Sequence, residues 1–161
     1  MSLALNVVSL FACSLLVGAC ASSGSASPSS DPANPLSDAG MMGFVATSDA
    51  PRSRAFYEGK LGMRVLEDDP MAIMLRHDSG ILRIQKANSF QPQRFTVLGW
   101  RVHDLRTTVH RLKNAGVAIE RYPGMSFQDD DGIATFSSGA MVAWFKDPDG
   151  NILSVAQFTE F

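Results

Sequence analysis

The side chains that most often serve as nucleophile, base or metal ligand are thinly spread along this 161-residue chain. Cys13 and Cys20 both fall in the first twenty residues, so nothing beyond them offers a thiol for a disulfide, a thiolate metal site or a cysteine nucleophile. The three histidines do not cluster: His77 lies at a turn, His103 beside an Asp that opens a helical stretch, and His110 inside that stretch on its expected exposed side. Asp129, Asp130 and Asp131 stand together before Gly132 but lack the ligand alternation of a calcium loop, and are read as a solvated loop. The remaining polar candidates occupy strand-like runs: Arg83 and Gln85 in ILRIQK, Arg101 in LGWRV, Trp144 in AMVAWFK and Ser154 in ILSVAQ. A guanidinium held in a partly enclosed site needs an anionic or carbonyl-bearing partner, so this set can hold a small organic ligand through charge-assisted bonds. It contains no candidate catalytic residue.

These residues sit on a pattern that occurs twice. FVATSDAPRSRAFYEGKLGMRV and LGWRVHDLRTTVHRLKNAGVAI each read as an apolar strand, an Asp, a helical stretch, a Gly and another apolar run. Asp49 and Asp104 are placed to cap the helices, Pro51 suits a first helical turn, and Gly116 a left-handed C-terminus. Leu105, Val109 and Leu112 recur at the spacing of one buried face. Three strands are expected after each helix: MRVLED, MAIMLRH and ILRIQK in the first copy, AIERY, AMVAWFK and ILSVAQ in the second. The predicted class is therefore α+β, two βαβββ modules forming a curved, mixed sheet, with DPDGN making the last hairpin.

Composition sets the outer limits. With 45% hydrophobic residues, 19% charged residues and a formal net charge of −2, the chain supports one globular core and gives no electrostatic footprint for nucleic acid. The first twenty residues have the length of a secretory apolar region, and Val17-Gly18-Ala19-Cys20 resembles the lipobox of bacterial lipoproteins, which makes Cys20 the expected lipidation site. Residues 21–40 are a Ser/Pro/Gly-rich linker suited to a flexible tether. The expected location is the cell envelope, lipid-anchored on the periplasmic side; a cytoplasmic domain follows if the start codon is mis-assigned.

SRAFYEGKLGM followed by VAWFKDPDGNILSV resembles the vicinal oxygen chelate superfamily, which includes glyoxalase I, bleomycin resistance proteins and extradiol dioxygenases. The likeness spans residues 41–161. It implies a U-shaped sheet with a pocket on its concave side, and often a homodimer. In the metal-dependent members a His or Gln on the first strand of each module and a Glu on the last converge on a divalent ion. Those positions fall here on Met42, on Arg83 or Gln85, on Val97 and on Ser154. Thioether, alkyl and hydroxyl groups make a poor set for a hard cation, since a catalytic site generally takes three protein ligands.

Strand alternation puts Val97, Gly99 and Arg101 on the concave face if any one of them is there, and Leu98, Trp100 and Val102 toward the helices. Trp100 is assigned to the core. The face of Trp144 and Lys146 depends on the register of the DPDGN hairpin. The expected ligand-binding residues are thus Arg83, Gln85, Arg101, Trp144 and Ser154, with no metal and no cofactor. The expected function is metal-independent binding of a small organic molecule; a glyoxalase-like lyase or isomerase acting on a small carbonyl substrate is the alternative.

Overall fold

Both helices begin where an aspartate caps them. Asp49 accepts from the Arg52 N–H at 3.1 Å and Asp104 from the Thr107 N–H at 3.0 Å, each satisfying a first-turn donor that has no partner inside the helix. The computed structural model describes residues 35–37, 39–78 and 80–159. The signal segment with Cys20 and nearly all of the linker lie outside the described residues. Helix α1 spans Ala50–Arg54 and continues as a π-helix over Ala55–Lys60, while α2 spans Leu105–Asn114. The π turn is not signalled by the sequence spacing. Its wider winding, seen in the Leu61 N–H bond to the Phe56 carbonyl at 3.1 Å, lets the consecutive Phe56 and Tyr57 both enter the core.

The strands are β1 Met42–Thr47, β2 Arg64–Asp68, β3 Ala72–His77, β4 Gly80–Lys86, β5 Thr96–Arg101, β6 Ala134–Thr135, β7 Met141–Lys146 and β8 Ile152–Gln157. They form two four-stranded sheets, ordered β1-β4-β3-β2 and β5-β8-β7-β6. In each sheet the strand before the helix runs parallel to the last strand of its module, and the other pairs are antiparallel. The duplication read from the sequence is thus present in three dimensions. The two sheets meet at β1 and β5, where a Cβ on Gly43 would stand 3.1 Å from a Leu98 methyl.

One expected strand is corrected. AIERY does not form a strand: Ile119 makes a single bridge to Phe145, and the sheet edge is shared with the two-residue β6, which the sequence reading did not include. The Gln128 amide explains this. It accepts from the Tyr122 N–H at 2.8 Å and donates to the Glu120 and Gly132 carbonyls, occupying backbone groups that a strand would have used. The acidic run is also more engaged than a solvated loop. Asp129 and Asp131 pair with Arg106 and Lys113 of α2, and Asp129 also accepts from the Asp131 and Ile133 N–H groups.

Side chains of one parity on both sheets build a single core. Val45, Ile73, Leu75 and Ile84 of the first module join Phe145, Leu153 and Val155 of the second, covered by Phe56, Tyr57 and the α2 stripe Leu105, Val109 and Leu112. The DPDGN hairpin clasps the modules together. Asp149 accepts from the hydroxyls of Thr47, Ser48 and Ser53 and from the Ser48 N–H, at 2.7 to 2.9 Å. Asp147 accepts from the buried Tyr57 hydroxyl at 2.9 Å, and Asn151 reaches the Ala46 carbonyl at 2.9 Å. Burial works to raise the Asp149 carboxyl, but the bonds from Ser48, Thr47 and Ser53 outweigh it and hold the pKa below the ordinary value. For Asp147 burial wins and the pKa is raised.

Candidate functional site

Strand register decides which side chains share the face turned away from the helices. In the first module Phe44 stands opposite Arg83, and in the second Gly99 stands opposite Ser154. Asp49 and Asp104 make Phe44 and Gly99 equivalent, because each precedes its capping aspartate by five residues. Arg83 is therefore the counterpart of Ser154. Gln85 lies two residues further on, between Ala46 and Ala72. The choice between Arg83 and Gln85 that the sequence left open is thereby made in favour of Arg83.

The hairpin register is equally definite. Trp144 pairs with Ser154 and Lys146 with Ile152, so both side chains belong to the same face as Ser154. The Trp144 indole N–H donates to the Thr96 hydroxyl at 3.1 Å, and the Tyr122 ring meets the indole edge-on at 5.9 Å. Lys146 donates to Glu120 at 2.8 Å, a bond that raises the lysine pKa. Thr96 and Tyr122 were not among the expected site residues. A bulge between Thr96 and Leu98 brings Thr96 to this face against simple alternation, and Tyr122 was read as strand.

Ser154 is 8% exposed, and a Cβ on Gly99 would come within 2.7 Å of its hydroxyl oxygen. Among the described residues that hydroxyl has no protein hydrogen bond, and because no fully buried side-chain oxygen lacks a partner it keeps access to solvent and is free to bind a ligand atom. Beside it, Gly99, Val97, Met42, Gly43, Ile81 and Arg101 edge a hollow of about 550 Å³ where β1 meets β5. Arg101 thus borders the hollow and Ser154 stands against its Gly99 wall, while Trp144 lies one strand further on, paired with Ser154. Arg83 and Gln85 do not line it; they stand on β4, where the Arg83 guanidinium approaches the Met74 sulfur at 3.9 Å.

The four positions that the family resemblance implies for a metal set hold Met42, Arg83, Val97 and Ser154, with Arg83 chosen by register. A thioether, a guanidinium, an alkyl group and a hydroxyl do not fit a divalent cation, and one of the four is itself a cation. Among the described residues no group of three His, Cys, Asp or Glu side chains is placed to hold a metal.

Two βαβββ copies sharing one core and exposing the opposite sheet face define a duplicated α+β fold with a ligand-sized hollow between its halves. Residues 41–155 match the Glyoxalase/Bleomycin resistance protein/Dioxygenase superfamily, and the chain belongs to that family. Similar solved structures include a bleomycin resistance determinant encoded on the transposon Tn5, with a TM-score of 0.60 and 20% identity over 74% of this chain and 98% of that one. A glyoxalase/bleomycin resistance protein/dioxygenase from Alicyclobacillus acidocaldarius has a TM-score of 0.59 and 16% identity, covering 76% and 93% of the two chains. A lactoylglutathione lyase from Agrobacterium tumefaciens has 0.57 and 15%, covering 74% and 93%. At such identities the likeness is one of fold. No curated protein matches the sequence.

Proposed function

We propose that this domain binds a small anionic or carbonyl-bearing organic molecule on the open sheet face without a metal ion. The observation that carries the reading is the register that puts Arg83 and Ser154 at equivalent positions, where metal-dependent relatives have ligands. A guanidinium and an unpartnered hydroxyl supply hydrogen-bond donors in place of a cation, and Arg101, unlike Arg83, places its positive charge at the hollow. Trp144 and Tyr122 offer an aromatic wall, so shape and a few polar groups provide the recognition.

The test combines mass spectrometry of small molecules released by denaturing the purified protein with thermal shift against a panel of aromatic and anionic compounds. A ligand should raise the melting temperature by mass action, and Arg83→Glu with Arg101→Glu should abolish the rise. No stabilisation across the panel overturns the binding reading. One equivalent of zinc, nickel, iron or manganese in the purified protein overturns metal independence. Turnover of methylglyoxal with glutathione would establish the lyase instead.

The proposal extends to the location: lipid attached at Cys20 anchors the domain to the envelope, with residues 21–40 as tether. Support comes from the Val-Gly-Ala-Cys motif and the linker composition. Labelled palmitate should enter the full-length protein in bacteria and be absent from Cys20→Ala; unlabelled protein in the cytosol would overturn the anchor.

A further inference from the structure

On the helix side of the second sheet, away from Ser154, lies another hollow, of about 310 Å³. Protein interiors pack as densely as organic crystals and leave few voids larger than a water molecule, whereas small-molecule sites begin at roughly 300 Å³. The floor of this one is core: Phe145, Val155 and Met63 are 1%, 4% and 3% exposed. Trp100, expected in the core, is only half-buried. Its indole stacks on the Phe145 ring at 6.2 Å and 16° and also borders the void.

Two features hold the space open. The inward stripe of α2 is Leu105, Val109 and Leu112, and the neighbouring position on the void is Thr108, whose side chain is too short to fill it. Lys60 donates to the Gly116 carbonyl at 2.8 Å, tying the end of the first helix to the end of α2. The rim is basic. Lys60, Arg101 and Arg111 face one carboxylate, Asp78, together with His77. Neither the Arg101 nor the Arg111 guanidinium has a hydrogen bond or ion pair among the described residues.

We propose that this hollow is a second ligand site, for a small amphiphile carrying a single carboxylate. The apolar body lies against Trp100 and Phe145, and the carboxylate takes the paired N–H groups of Arg111 at the rim, with Arg101 adding charge. An uncharged molecule of the same shape leaves those guanidiniums without an acceptor and binds more weakly. The site does not depend on the ligand proposed for the open face, although Met63, His77, Trp100 and Arg101 border both hollows.

The experiment titrates the full chain with 2-naphthoate by calorimetry, and follows Trp100 fluorescence in a Trp144→Phe background. Saturable binding is expected, weakened at least about tenfold in Arg111→Glu and about tenfold for 2-naphthalenemethanol, consistent with the strength of a charge-assisted bond. Thr108→Phe, which occupies the void, should abolish it, while Arg83→Glu on the open face should leave it unchanged. Arg111 is exposed, so Arg111→Glu keeps the fold and carries the test even if Thr108→Phe does not fold. Absence of saturable binding at millimolar naphthoate overturns the proposal. So does an affinity untouched by Arg111→Glu, or one lost in Arg83→Glu, which would put the ligand on the open face.

Discussion

On the proposed reading, Ser154 and Arg83 together invert the chemistry of a metal-binding position. Where a carboxylate and imidazoles would draw in a cation, a hydroxyl beside Gly99 and a guanidinium on the other module offer hydrogen-bond donors. The inversion can be reversed by mutation. Replacing Met42 and Val97 by His, and Arg83 and Ser154 by Glu, restores a set of donors suited to a divalent ion, and about one equivalent of zinc or nickel is expected by elemental analysis, against none in the unmodified protein. A quadruple variant that folds and stays metal-free would show that the backbone no longer brings the four positions together. At this scale the sequence was informative where a position is counted from a fixed landmark: Met42 and Val97 from the capping aspartates, Ser154 from the DPDGN turn. Arg83 could not be separated from Gln85, because the choice depends on which residue of β1 pairs with which of β4, a long-range fact. Thr96 was hidden for a related reason, since a bulge overrides alternation and leaves no local mark.

Secondary-structure elements were legible when their own ends announced them. Asp49, Asp104, Gly62 and Gly116 bracket the helices through local bonds and left-handed backbone, and these act over three or four residues. AIERY failed because its competitor is distant in sequence: the Gln128 side chain binds the backbone of residues 120 and 122 from a loop. That loop in turn presents Tyr122 to Trp144, so Gln128 positions one wall of the open face. Gln128→Ala removes three hydrogen bonds in a part-buried setting and should cost about 2 kcal/mol by urea denaturation, at roughly 0.5–1.5 kcal/mol for each bond. It should also weaken binding of aromatic ligands on the open face, and Gln128→Glu should not recover the stability, because its second carboxylate oxygen would face the Glu120 and Gly132 carbonyls to which the amide now donates. No loss of stability in Gln128→Ala would mean that the loop holds its shape through the Arg106 and Lys113 ion pairs alone.

For the molecule as a whole, the question is what makes two modules fold as one, and the DPDGN clasp answers it with two carboxylates of opposite character. Asp149 has a pKa below the ordinary carboxylate value, so the stability it contributes is complete above about pH 4 and is lost as pH falls through its folded pKa. Asp147 is raised by burial. Its folded form retains the proton longer than the unfolded chain does, so between the ordinary value and its folded pKa stability declines as pH rises. Each has a bonded hydroxyl whose removal reports on it. Ser53→Ala takes from Asp149 a donor 2.9 Å away, and should cost about 1–2 kcal/mol at pH 7, a penalty that persists at pH 5 and fades only in strong acid. Tyr57→Phe leaves Asp147 without its 2.9 Å donor, and should cost about 2–3 kcal/mol once the pH is above the raised pKa and the carboxylate is charged. The Tyr57→Phe penalty should shrink as pH falls through that raised pKa, at a higher pH than the Ser53→Ala penalty does, because the neutral acid depends less on the phenol. Urea denaturation of the two variants at pH 7, 5 and 3 separates them, and penalties that fade together would mean that Asp147 and Asp149 titrate as one coupled pair rather than as two groups shifted in opposite directions.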